Sequence, residues 1–136
     1  GIEALSRGAA RATFVERDQG AIRAIRENLR RVGFPAGPAV EVVEAEALRW
    51  LRRPAGVGPF DVVVIDPPYA DTALLTDALS ALGDPAAGLL APDAHVVAKH
   101  FWRDAPPDRI GLLASERSRR FGETALTFYR FGVGEP

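Results

Sequence analysis

The stretch Phe60-Asp61-Val62-Val63-Val64-Ile65-Asp66-Pro67-Pro68-Tyr69 decides how this chain is read. Phe60 and the run from Val62 to Ile65 are apolar β-formers, the composition of a strand covered on both faces. Two consecutive prolines cannot donate to a β-ladder, so the strand has to stop before them. Asp66 therefore falls at the carboxyl end of a strand, where open α/β sheets place their ligands. The fixed φ of Pro67 and Pro68 then holds the Asp66 carboxylate, the Pro67 carbonyl and the Tyr69 ring in one rigid arrangement.

That arrangement suits the grip of a planar amino group. An exocyclic NH2 on a nucleobase offers two hydrogens, which the Asp66 carboxylate and the Pro67 carbonyl accept while the Tyr69 ring stacks on the base. Stacking of this kind is worth ~1–3 kcal/mol per base. The plainer alternative is a strand followed by a proline-rich turn with an ordinary surface Asp.

Outward from this stretch, strands and helices alternate. Ala12 to Glu16 reads as a short strand, and Ala21 to Val32 as an amphipathic helix with Ile22, Ile25, Leu29 and Val32 on one face. Gly33 stands where that helix ends. Val40 to Glu44 is the next strand, Ala47 to Arg53 a short helix closed by Pro54, and residues 52–59 a loop. After the Asp66 strand come a helix over Thr72 to Leu82 and strands over Ala94 to Lys99, Leu112 to Ser118 and Ala125 to Phe131. Arg120-Phe121-Gly122-Glu123 makes the last two an antiparallel hairpin. The alternation predicts an α/β fold, a mostly parallel sheet with helices on both faces that ends in this hairpin. No repeat or linker interrupts residues 1–136, so a single domain is expected.

Composition sets the outer limits. The chain has 136 residues, 47% hydrophobic and 26% charged, with a net charge of −1. That balance is ordinary for one globular domain and argues against a large nonspecific nucleic-acid surface. Zero cysteines remove disulfides and thiolate metal sites, no metal site is expected, and nothing resembles a signal peptide or membrane span. A cytoplasmic protein is the default. Lys99 is the only lysine, and the arginines cluster at Arg23, Arg26, Arg30 and Arg31, at Arg49, Arg52 and Arg53, and at Arg117, Arg119 and Arg120. Each cluster reads first as a solvated face. The opening Gly1-Ile2-Glu3-Ala4-Leu5-Ser6-Arg7-Gly8 looks like the body of a helix, which suggests that a preceding portion is absent.

Two further acids stand at strand ends. Glu16 closes the first strand, the position from which nucleotide-binding α/β proteins reach a ribose with a carboxylate. Glu46 follows the second strand just before a helix, where its carboxylate suits an adenine amino group and the Ala47 N–H a ring nitrogen. Each alone is an ordinary helix-start or surface charge. Glu16, Glu46 and Asp66 at successive strand ends form a pattern.

Taken in order, Glu3-Ala4-Leu5-Ser6-Arg7-Gly8, Phe14-Val15-Glu16-Arg17-Asp18, Asn28-Leu29, Asp66-Pro67-Pro68-Tyr69 and Arg120-Phe121-Gly122-Glu123-Thr124 resemble the RsmD family over essentially the whole chain. These bacterial enzymes methylate the 2-amino group of a guanine in 16S ribosomal RNA with S-adenosylmethionine. The resemblance implies a Rossmann-like class I methyltransferase sheet whose first strand and glycine loop precede Gly1, together with a basic N-terminal segment that helps bind RNA. It implies cofactor contacts from Gly1, Glu16, Arg17, Glu46 and Ala47, with Asp66 at the cofactor's edge. The target-base clamp would be Asp66, Pro67, Pro68 and Tyr69. The partner would be 16S rRNA or an assembling small ribosomal subunit, met by a monomer without a membrane. Lys99 is given no role.

Asp-Pro-Pro-Tyr is shared with other amino-group methyltransferases, so adenine-N6 or cytosine-N4 methylation of DNA or RNA is the alternative within enzymes. A non-catalytic nucleotide- or RNA-binding module is the alternative of another class. An NAD-dependent dehydrogenase leaves Asp-Pro-Pro-Tyr unexplained.

Overall fold

The structure is a computed structural model that describes residues 10–34, 37, 39–52, 59–68 and 70–132. It divides into two compact units, Gly1–Trp50 and Leu51–Pro136.

In the first unit, β1 (Ala12–Glu16) pairs in parallel with β2 (Val40–Glu44), and Glu16 stands opposite Glu44 at the carboxyl ends. Helix α1 (Gln19–Arg31) starts two residues earlier than the apolar spacing indicates, because Asp18 caps it: its carboxylate accepts from Ala21 N at 2.8 Å. Ile22 and Leu29 are buried on one face of α1, and Leu29 packs with Val40 among Phe14, Ile25 and Val42. Gly33, at φ +89°, ends the helix with a conformation that favours glycine. A short helix α2 (Ala47–Leu51) closes the element series of this region.

In the second unit, five strands lie in the order β3-β4-β7-β6-β5. β3 (Phe60–Ile65) runs parallel to β4 (Leu90–Phe101), with Ile65 beside Ala98. β7 (Thr124–Phe131) inserts antiparallel between β4 and β6 (Leu113–Phe121), and a two-residue β5 (Arg109–Ile110) edges the sheet. The outcome is an α/β fold whose sheet mixes parallel and antiparallel strands. β4 begins four residues before the expected Ala94. Pro92 and Asp93 disguise that start, and Asp93 adopts φ +62° where the β3–β4 register shifts. β5 is too short to carry a periodic signal.

Helix α3 (Thr72–Gly83) covers one face of this sheet, its Leu75, Leu79 and Leu82 packed on Leu90, Val96, Ala98, Leu113 and Tyr129. The expectation that β3 is covered on both faces is not met among the described residues. Val63 and Ile65 pack toward the core, whereas Val62 and Val64 remain 58% and 60% exposed. The apolar run reads as doubly buried, but the α3 side is the only face of β3 that packs into the described core. Gly83 and Gly111 bring α3 against the start of β6 so closely that a Cβ on Gly111 would lie 2.4 Å from the Gly83 carbonyl oxygen. Among the described residues, no helix is long and apolar enough to cross a membrane.

Candidate active site

The Asp66 end of β3 is built by two backbone devices. Pro67 ends the ladder, and Asp71 then starts α3 by accepting Leu74 N at 3.1 Å while donating its own N–H to the Pro68 carbonyl at 2.9 Å. The loop from Asp66 to Asp71 is thereby tied at both ends. Asp66 is exposed, and among the described residues nothing donates to the Pro67 carbonyl. One carboxylate oxygen and one open carbonyl thus stand side by side in the chain, as a two-hydrogen amino group requires. Tyr69 lies outside the described residues.

The sequence reading missed the partner of Asp66. Lys99 Nζ lies 3.6 Å from Asp66 Oδ2, because Ala98 is in register with Ile65 and the next residue of each strand reaches the same end. The signal was present in the pairing of two parallel strands, which a linear pattern of residues does not display. Beyond Lys99, His100 is buried, with Nδ1 2.8 Å from the Phe101 carbonyl and Nε2 2.8 Å from Thr127 Oγ1, which in turn lies 3.0 Å from Ser118 Oγ. Pro67, Pro68, Lys99 and His100 line a small hollow at this end of the sheet.

The first unit gathers the other predicted residues. Glu16 Oε2 accepts the backbone N–H of Arg17 at 3.0 Å and of Asp18 at 3.1 Å, which fixes the carboxylate at the end of β1 and leaves Oε1 without a hydrogen bond among the described residues. Ala45 N donates to the Glu16 carbonyl at 3.0 Å, so the end of β2 is held against it. Glu46 follows, within 3.8 Å of Arg17 Nη1, and opens α2 by accepting Trp50 N at its carbonyl. Gln19 Nε2 bonds Glu44 across the same strand ends. Glu16, Arg17, Glu46 and Ala47 therefore come together. A carboxylate held by two N–H donors is poised to accept from paired hydroxyls, and the Ala47 N–H at the first position of α2 has no helical partner. This donor set fits the ribose and adenine of a nucleoside cofactor. Gly1 lies outside the described residues.

The Arg23, Arg26, Arg30 and Arg31 cluster is the solvated face expected of it, with Glu27 pairing Arg30 at 3.1 Å and Arg31 at 3.8 Å. Arg117, Arg119 and Arg120 are exposed as well, but each lies over an aromatic ring.

Similarity to known proteins agrees with this architecture. The family model described as conserved hypothetical protein 95 matches residues 1–130. YlbH of Bacillus subtilis is 32% identical over 130 residues, which cover 96% of this chain and 68% of that protein. Ribosomal RNA small subunit methyltransferase D of Escherichia coli is 30% identical over 130 residues, covering 96% of this chain; the chain spans 62% of that relative's length. Among solved structures, yhhF from Escherichia coli superposes with a TM-score of 0.82 at 27% identity, over 98% of this chain and 70% of its own. With the family match running from Gly1 nearly to the end, and with the strand–Asp-Pro-Pro geometry where the sequence places it, the chain belongs to the RsmD family.

Proposed function

We propose that the whole protein transfers a methyl group from S-adenosylmethionine to the exocyclic 2-amino group of a guanine in 16S ribosomal RNA. The observation that carries this reading is Asp66 at the carboxyl end of β3 beside the Pro67 carbonyl, which accepts no hydrogen bond among the described residues. Residues 1–136 are taken as one catalytic domain. Glu16, Glu46 and Ala47 hold the nucleoside part of the cofactor, with Arg17 and Gly1 at its margin. When bound, the cofactor supplies an electrophilic methyl group.

The amino nitrogen of guanine is a weak nucleophile because its lone pair is delocalised into the ring. By accepting both N–H hydrogens, the Asp66 carboxylate and the Pro67 carbonyl favour a pyramidal nitrogen and aim its lone pair. Pro68 keeps the loop rigid, and Tyr69 stacks on the base. Orientation and a preorganised acceptor pair then lower the barrier, and no strong base is needed before transfer, since the methylated nitrogen is acidic and sheds its proton afterwards. The base must leave its stack to enter, which costs least in a loop or bulge of RNA. The substrate is the RNA or an assembling small subunit, the compartment the cytoplasm, and the protein acts as a monomer.

The same clamp fits adenine-N6 and cytosine-N4, which also present an NH2 group. Incubation of the full-length protein with unmethylated 16S rRNA and S-adenosylmethionine, followed by digestion to nucleosides and mass spectrometry, separates the three. N2-methylguanosine is expected. N6-methyladenosine or N4-methylcytidine in its place overturns the guanine assignment.

A further inference from the structure

The β6–β7 hairpin and the turn after β4 carry arginines that form no ion pair among the described residues. Arg103 and Arg120 both lie over the Trp102 ring, 4.7 and 3.6 Å from its centroid, and Arg119 lies 5.2 Å from the centroid of Phe121. Among the described residues, no carboxylate stands within ion-pair distance of Arg103, Arg119 or Arg120. Asp104 and Glu123 are chain neighbours and still form no such pair. Arg130, by contrast, meets Glu116 at 3.5 Å. A guanidinium over an exposed ring gains ~0.5–1 kcal/mol. Two of them on one indole repel each other, which offsets part of that gain. Phe121 adds an aromatic side chain, the residue being 53% exposed. Arg119 and Phe121 project from one face of β6 and Arg120 from the other, so cations and an exposed ring surround this end of the hairpin, the complement of a polyanion that carries planar groups.

Their location gives the surface its meaning. Ile65 is in register with Ala98, Phe101 with Thr124, and Thr124 with Phe121, while Trp102 N donates to the Glu123 carbonyl at 2.9 Å. The cluster thus sits at the same sheet end as Asp66. Along β4, Phe101 is ~10 Å beyond the residue that pairs with Ile65, at ~3.3 Å per residue. Arg120 is further fixed by donating Nε to the Gly122 carbonyl at 2.7 Å.

We propose that Trp102, Arg103, Arg119, Arg120 and Phe121 form the surface that grips the RNA strand flanking the nucleotide held at Asp66. Guanidinium groups placed over rings keep N–H donors for phosphate oxygens, and Phe121 offers exposed ring surface to a neighbouring base. Extraction of one base leaves its neighbours partly unstacked, which gives the strand both features at once. An acidic peptide matches the charge but brings no planar faces.

The proposal rests on the rRNA reading above, and its test keeps the two apart. In the full-length protein, Arg103→Ala/Arg120→Ala removes two exposed side chains, and Phe121→Ala removes the open ring. Binding of a short fluorescein-labelled single-stranded RNA is followed by anisotropy over a series of salt concentrations. The double variant is expected to lose ~10-fold or more in affinity and to show a log K against log salt slope shallower by ~1.4, for two phosphate contacts on a single strand. Phe121→Ala is expected to weaken binding with the slope unchanged. Melting temperature and S-adenosylmethionine affinity stay at their wild-type values in both. Wild-type RNA affinity and slope in a double variant that melts like the parent overturn the surface, even where rRNA methylation by the parent is intact. RNA binding that depends on these arginines, in a protein that methylates no rRNA, supports the surface and removes the activity.

Discussion

Lys99 Nζ lies 3.6 Å from Asp66 Oδ2, across the ends of two adjacent parallel strands. Both side chains are about half exposed, so the pair contributes only ~0–1 kcal/mol to stability. Its consequence is geometric, because an oxygen held by Lys99 sets the rotamer that directs the other oxygen of the carboxylate. Lys99→Met in the full-length protein is therefore expected to slow single-turnover methyl transfer ~10-fold, the cost of a mispositioned reactant group, with the melting temperature nearly unchanged. Lys99→Arg is expected to recover much of the rate. Wild-type rates in Lys99→Met would show that Asp66 needs no second anchor.

On the proposed reading, Asp66→Ala removes one of two acceptors of the target amino group. The rate of transfer is expected to fall ~10²–10³-fold, as when one preorganised partner of a transition state is deleted. Cofactor affinity, measured by calorimetry, is expected to change far less. A rate loss matched by an equal loss of cofactor affinity would move Asp66 from the base clamp to the cofactor site.

Glu16 presents a carboxylate already fixed by the N–H groups of Arg17 and Asp18. Glu16→Ala is expected to weaken S-adenosylmethionine binding by ~1–3 kcal/mol, the range for hydrogen bonds to a charged acceptor. Unaltered affinity in a calorimetric titration would reduce Glu16 to a cap on the turn after β1.

Tyr129 is fully buried, and its hydroxyl donates to the Pro107 carbonyl at 2.7 Å. Burial first, and the charge of Asp108 second, push its phenol up from 10.0 to about 12. The folded state thus prefers the protonated phenol. This stabilisation is complete below about pH 10 and is lost as pH rises toward 12, where the unfolded chain has already released its proton. Denaturant unfolding between about pH 8 and pH 12 is expected to show stability falling by up to ~2–3 kcal/mol. Tyr129→Phe should flatten that fall and cost ~1 kcal/mol at neutral pH by orphaning the Pro107 carbonyl.

Gly111 and Gly122 both adopt positive φ, +58° and +63°, but only Gly111 faces another backbone. Gly122→Ala is expected to cost ~1–2 kcal/mol from the left-handed conformation alone. Gly111→Ala adds a collision with the Gly83 carbonyl oxygen and should destabilise clearly more. Equal losses in thermal melts of the two variants would mean that α3 and β6 separate without cost.

Much of this architecture was legible because it is local. β1, β2 and β3 begin and end where alternation and Pro67 place them, and α1 follows the spacing of Ile22, Ile25 and Leu29. Asp66 was legible because a strand and two prolines fix it within one segment. What escaped notice depends on segments distant in sequence. Lys99 meets Asp66 only through strand pairing, the rings under Arg119 and Arg120 are set by the hairpin register, and Val62 and Val64 look like core although among the described residues only the α3 side of β3 packs. β5 was invisible because two residues have no period.

The hydrogen-bonded line from the exposed Ser118 to the buried Thr127 and His100 crosses three neighbouring strands, β6, β7 and β4. It has the form of a key. Its members meet only when Thr127 stands opposite both Ser118 and Ala98, and a slip of one residue would turn Thr127 to the other face and leave His100 buried without its acceptor or donor. An apolar core tolerates sliding between similar side chains, whereas this row accepts one alignment. Because His100 follows Lys99 and Ser118 precedes Arg119, the side-chain bonds that select the pairing also dictate which cations reach the sheet end beside Asp66.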